Sequence, residues 1–134
     1  MFPFPLDHIA IALPDESALH RWQAAFGLTP SHTEEVPAQG VRVYFFESGG
    51  TTLEILLPLT PDSPVGRFVA KKGGGLHHLA FYAEDLQAAR THLEGLGFEA
   101  LSQAPQPAAR GKQAYFFHPR SADGVLVELV SHTS

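Results

Sequence analysis

The chain has 134 residues and no cysteine, and it carries a single methionine and a single tryptophan. Without thiols there are no disulfides and no thiolate-bound metals, so any metal must be held by nitrogen and oxygen. Charge is sparse: acids outnumber Lys and Arg 14 to 9, for a formal net charge of −5. That balance argues against a nucleic-acid partner, although a metal or a local basic patch can still recruit an anion. No apolar run approaches the roughly 20 residues of a membrane span, so no membrane association is expected. The start, Met1-Phe2-Pro3-Phe4-Pro5, lacks the basic and apolar stretches of a secretory signal, and a cytoplasmic location is expected. The apolar fraction of 44% belongs to a globular chain, and the length suits one domain with a real core.

What is present is a repeat. Leu6-Asp7-His8-Ile9-Ala10 returns as Leu76-His77-His78-Leu79-Ala80, with the histidines 70 residues apart. Gly27 returns at the same interval as Gly97, and Tyr44-Phe45-Phe46 returns as Tyr115-Phe116-Phe117. Leu53-Glu54-Ile55-Leu56 returns as Val127-Glu128-Leu129-Val130, the interval having grown to 74 around Ser121-Ala122-Asp123-Gly124. A lone histidine at the start of a strand is usually a structural polar residue. Two copies of one unit, each with a histidine near its start and a glutamate near its end, are different. They can be folded to bring His8, Glu54, His78 and Glu128 to one point, where two imidazoles and two carboxylates are a good donor set for a divalent metal.

Each copy has the same grammar. Leu6 to Leu13 alternates as a strand, Asp15 caps a helix with Leu19, Trp22 and Phe26 on one face, and Gly27 stops it. Strands are then predicted at about Thr29–Glu35, Val41–Ser48 and Thr52–Leu57, with a hairpin turn at Ser48-Gly49-Gly50-Thr51. The second copy reads as a strand at Leu76–Ala83, a helix at Asp85–Leu96 ended by Gly97, and strands at Phe98–Ser102, Lys112–His118 and Gly124–Ser131. Between them, Ser63-Pro64 opens a short helix that Lys71, Lys72 and the run Gly73-Gly74-Gly75 close. The expectation is therefore an α+β fold in one domain spanning 1–134, with module one at about 5–57, a connector helix at about 58–75 and module two at about 76–132.

The other polar residues have plainer readings. His77 alternates away from His78 and suits a structural or supporting role. His20 and His92 fall on helices as surface residues, and His118 precedes Pro119 in a turn. Lys71 and Lys72 either complement a helix end or meet substrate phosphates. Arg110-Gly111-Lys112 either neutralises a substrate anion or solubilises a hairpin. Both Phe pairs read as core.

These modules resemble the vicinal oxygen chelate superfamily. The finer motifs are similar to its methylmalonyl-CoA epimerase family: Leu6-Asp7-His8-Ile9-Ala10-Ile11-Ala12, Val36-Pro37-Ala38-Gln39-Gly40-Val41, Asp62-Ser63-Pro64-Val65, Gly75-Leu76-His77-His78, and Gly124-Val125-Leu126-Val127-Glu128-Leu129. The resemblance implies two βαβββ modules forming a half-open eight-stranded sheet around a metal site, and a homodimer. It implies one divalent ion, compatible with Co, Ni, Zn, Mn or Fe, on His8, Glu54, His78 and Glu128. It further implies an acyl-CoA thioester substrate epimerised by removal and return of the α-proton through a metal-stabilised enolate, with Glu54 and Glu128 as the catalytic acid/base pair. Some epimerases carry a further glutamate soon after the Gln-Gly-Val segment, where this chain has Val43; Glu47 lies farther along the same face. Two alternatives share the fold: a glyoxalase I-like lactoylglutathione lyase acting on a hemithioacetal, and a non-enzymatic ligand-binding protein.

Overall fold

A computed structural model describes residues 3–132; the two outermost residues at each end of the expected 1–134 domain lie outside the described residues. The elements are β1 (Leu6–Ala12), α1 (Glu16–Phe26), β2 (His32–Val36), β3 (Val41–Ser48), β4 (Thr51–Pro58), α2 (Pro64–Lys72), β5 (Gly75–Tyr82), α3 (Leu86–Gly95), β6 (Gln106–Pro107), β7 (Lys112–Phe117) and β8 (Val127–His132). The eight strands belong to a mixed sheet, the α+β architecture expected. The chain forms two compact units, one from Ile9 to His77, the other joining the residues up to His8 with those from His78 onward. No helix among the described residues is long and apolar enough to cross a membrane.

In the unit from Ile9 to His77, β2, β3 and β4 run antiparallel. The Asp15 side chain accepts from the Ala18 N–H at 2.9 Å and starts α1; Gly27, left-handed at φ 66, ends it. Leu19 of α1 packs with Leu13, Phe46, Ile55 and Leu57 and covers one face of the strands, while the other face carries Val41, Val43, Phe45 and Leu56 with Glu54 among them. Gly49 and Gly50 both have positive φ, 57 and 87, which a two-residue hairpin with Ser48 opposite Thr51 requires. The connector helix begins as expected: Ser63 Oγ accepts from the Gly66 N–H at 3.0 Å and donates to the Thr60 carbonyl at 2.8 Å. At Gly66 the carbonyls of Thr60 and Pro61 come so close that a Cβ would collide with both.

In the other unit, β8 lies between β5, to which it is parallel, and β7, to which it is antiparallel; β6 pairs with β7. Asp85 caps α3 from the Ala88 N–H at 3.0 Å. Ala89 of that helix packs with Ala83, Tyr115, Phe117 and Leu129, the counterpart of the other unit's core.

Three expected strands are corrected. The strand predicted at Phe98–Ser102 is reduced to a single bridge, Ala100 with Phe117, and β6 forms later, at Gln106–Pro107. The Arg90 guanidinium takes the carbonyls of Ser102 and Gln103, at 2.9 and 2.6 Å, and so withdraws them from strand pairing. The strand predicted from Thr29 starts at His32, beyond Pro30, which has no N–H to give. The one predicted from Gly124 starts at Val127, because Gly124 and Val125 donate into a turn, to the carbonyls of Pro119 and Ala122.

Candidate metal centre

Strand alternation delivers the ligand-type residues to buried positions. On β1 the buried residues are His8, Ala10 and Ala12; on β5 they are His78 and Ala80. Glu128 on β8 stands in register with Ala80 on one side and Phe116 on the other, so it shares their face. Ala80 is small, which leaves room beside His78 for the carboxylate. The Phe116 ring meets His78 edge to face, with centroids 5.4 Å apart, and so borders the site rather than filling the helix-side core.

Three donor atoms converge. His8 Nε2 and His78 Nε2 are 3.0 Å apart. Glu128 Oε1 is 2.9 Å from His78 Nε2 and 3.2 Å from His8 Nε2. Despite these approaches, Oε1 is buried and accepts no hydrogen bond of proper geometry among the described residues. A buried carboxylate oxygen normally has such partners, and leaving one without costs free energy. Burial by itself pushes the Glu128 carboxyl up, but the charge and contact of His78, and then of His8, hold it down at about 2. With any Nε2 proton displaced, the two imidazole nitrogens and the ionised oxygen would present three lone pairs to a single cation. At separations of 2.9 to 3.2 Å the three atoms are close enough that one divalent ion would meet all of them.

Behind His8 stands Asp7. His8 Nδ1 lies 2.8 Å from Asp7 Oδ2, and the Lys112 ammonium donates to Asp7 Oδ1 at 2.9 Å. Burial raises the Asp7 carboxyl, yet hydrogen bonds from His8 and Lys112, with the lysine's charge, keep it at about 2.

Of the four residues predicted from the repeat, His8, His78 and Glu128 meet in one unit. Glu54 lies on β4 in the unit from Ile9 to His77, buried and opposite Phe45, just as Glu128 stands opposite Phe116. Val43 is buried on the face of β3 that carries Phe45, while Glu47 at the end of that strand is exposed and accepts from the Thr52 hydroxyl at 3.0 Å. His77 packs edge to face on Phe68 of α2, a structural role. The Lys112 ammonium is engaged by Asp7, which settles that lysine on an internal partner. Sequence reading missed Asp7 and Lys112 as parts of the site. The one available signal was an asymmetry of the repeat, in which Asp7 occupies the position that His77 holds in the second copy.

The chain is similar to known proteins along nearly its whole length. Residues 7–116 match the model of the glyoxalase/bleomycin resistance protein/dioxygenase superfamily. The chain is 39% identical to the ethylmalonyl-CoA/methylmalonyl-CoA epimerase of Cereibacter sphaeroides, over 92% of this chain and 95% of that protein. It is likewise 39% identical to the human mitochondrial methylmalonyl-CoA epimerase, over 92% of this chain and 72% of that one. Among solved structures, a variant of the Streptomyces coelicolor methylmalonyl-CoA epimerase in complex with 2-nitronate-propionyl-CoA superposes with a TM-score of 0.87 at 34% identity, covering 98% of this chain and 99% of that one. The convergence of His8, His78 and Glu128, the repeat that produces it and these similarities together place the chain in the methylmalonyl-CoA epimerase family of that superfamily.

Proposed function

We propose that this chain epimerises methylmalonyl-CoA, inverting the carbon between the carboxylate and the thioester carbonyl, at a site built from His8, Glu54, His78 and Glu128. The observation that carries the reading is the buried triangle of His8 Nε2, His78 Nε2 and Glu128 Oε1 in a chain 39% identical to epimerases over nearly its whole length. His8, His78 and Glu128 hold one divalent ion; Glu54 joins them on the strength of the repeat, which gives it the same strand position, the same burial and the same Phe partner as Glu128. Once bound, such an ion supplies Lewis-acid stabilisation of the negative charge that develops when the α-proton leaves.

The protein's own groups handle the proton. Inversion requires an acceptor on one face of the α-carbon and a donor on the other. Glu54 and Glu128 come from repeat-related strands and are assigned these two roles. With Val43 apolar and Glu47 held by Thr52 at an exposed strand end, neither offers a better placed acid/base group. The protein is proposed to act as a cytoplasmic homodimer, with Co, Ni, Zn, Mn or Fe as the ion. The lyase alternative is not needed to account for the site.

The test is exchange of the α-proton of methylmalonyl-CoA in D2O, followed by NMR with and without a chelator. Exchange that the chelator abolishes and a divalent ion restores supports the proposal. Absence of exchange at any metal load, with turnover of a hemithioacetal instead, overturns it.

A further inference from the structure

Lys112 Nζ, Asp7 and His8 form a continuous chain of contacts that ends at the converging donor atoms. Lys112 is the first residue of β7, and it reaches an aspartate 105 positions earlier in sequence. Both side chains are well shielded, each 17% exposed, and the ammonium also lies 5.9 Å from the centroid of the Tyr82 ring. A shielded pair of this kind is costly to half-remove, because the remaining partner is left with an uncompensated charge. Asp7 bonds both of its oxygens inward, one to Lys112 and one to His8 Nδ1.

An ionised carboxylate only accepts hydrogen bonds, so the nitrogen 2.8 Å from Asp7 Oδ2 must carry the proton. In a neutral imidazole that choice empties the other nitrogen, and Nε2 is the nitrogen facing His78 and Glu128. We infer that Asp7 and Lys112 are positioning residues, Lys112 anchoring Asp7 and Asp7 fixing His8 in its Nδ1–H tautomer so that the Nε2 lone pair points into the donor triangle. The second copy does not reuse the arrangement. It has His77 at the matching position, and that ring packs on Phe68. One of the two histidines is thus oriented by its neighbouring aspartate, itself held by a lysine 105 positions further on.

The inference rests on the proposed metal reading, and the test separates the two. Metal-free protein with 15N-labelled histidine is examined by NMR for the tautomer of His8, and Co2+ is then titrated into the wild type, Asp7→Ala, Asp7→Asn and Lys112→Met. The expected results are an Nδ1–H tautomer in the wild type, loss of that preference in Asp7→Ala, and Co2+ affinity weakened about 10- to 100-fold. Asp7→Asn, whose amide oxygen still accepts from Nδ1, recovers most of the affinity, and Lys112→Met shows a smaller loss with the tautomer retained. Wild-type affinity and an unchanged tautomer in Asp7→Ala overturn the inference. Should Asp7→Ala fail to fold, wild-type Co2+ affinity in Lys112→Met overturns the role of the pair. If the wild type binds no Co2+ yet His8 still loses its tautomer in Asp7→Ala, the positioning pair stands and the metal reading is what fails.

Discussion

At the scale of single residues, the triangle makes a quantitative demand. His8→Ala or His78→Ala removes a donor outright, and elemental analysis after reconstitution should show metal content well below one ion per chain. Glu54→Gln and Glu128→Gln are subtler, since an amide oxygen still ligates but cannot take up the α-proton. Single-turnover deuterium exchange should fall by about 10²- to 10⁴-fold in each, with one variant losing exchange from the R epimer first and the other from the S epimer. Near wild-type exchange in both, with metal retained, would sink the two-glutamate mechanism. The candidate donors were legible because the repeat gives each module one histidine and one glutamate, and three of the four, His8, His78 and Glu128, come together. Asp7 and Lys112 were not, because an ion pair across 105 positions leaves no local period in the sequence. Phe116 was read as core for a related reason: alternation assigns a face, but not what occupies that face.

Helices and turns were easier to read than strands. Asp15 and Ser63 cap as their positions predicted, since a cap is a contact three residues long, and Asp85, expected as the first residue of its helix, proves to be a cap as well. The strand expected at Phe98–Ser102 is cut short after Leu101, where the Ser102 and Gln103 carbonyls are claimed by Arg90, whose side chain comes from α3. Propensity carries no information about such a competitor. A sharper expectation attaches to α2. Gly66→Ala places a methyl against the carbonyls of Thr60 and Pro61, and thermal unfolding should reveal a loss of about 1–3 kcal/mol. A midpoint equal to the wild type would mean that the loop before α2 yields readily. Ser63→Ala, which removes both the cap and the bond to Thr60, should cost about 0.5–2 kcal/mol by the same measurement.

For the whole molecule, the proposal of one domain predicts one unfolding transition. Trp22, the single tryptophan, lies in the unit from Ile9 to His77, so its fluorescence reports on that unit alone. Urea curves from Trp22 fluorescence and from far-ultraviolet circular dichroism should superimpose. Two separable midpoints would show that the units unfold independently. A divalent ion at about 100 times its dissociation constant should add about 2.7 kcal/mol to stability, and chelation should remove it. The unit that holds the triangle is also discontinuous in sequence, joining the first residues of the chain to those from His78 onward. During synthesis, His8 leaves the ribosome well before its orienting lysine, Lys112, and its carboxylate neighbour, Glu128, are made. The triangle cannot close on a nascent or truncated chain, and such long-range closure is slow. Metal uptake at the proposed site would therefore wait on the second module, and a loaded site would certify that translation has reached β8.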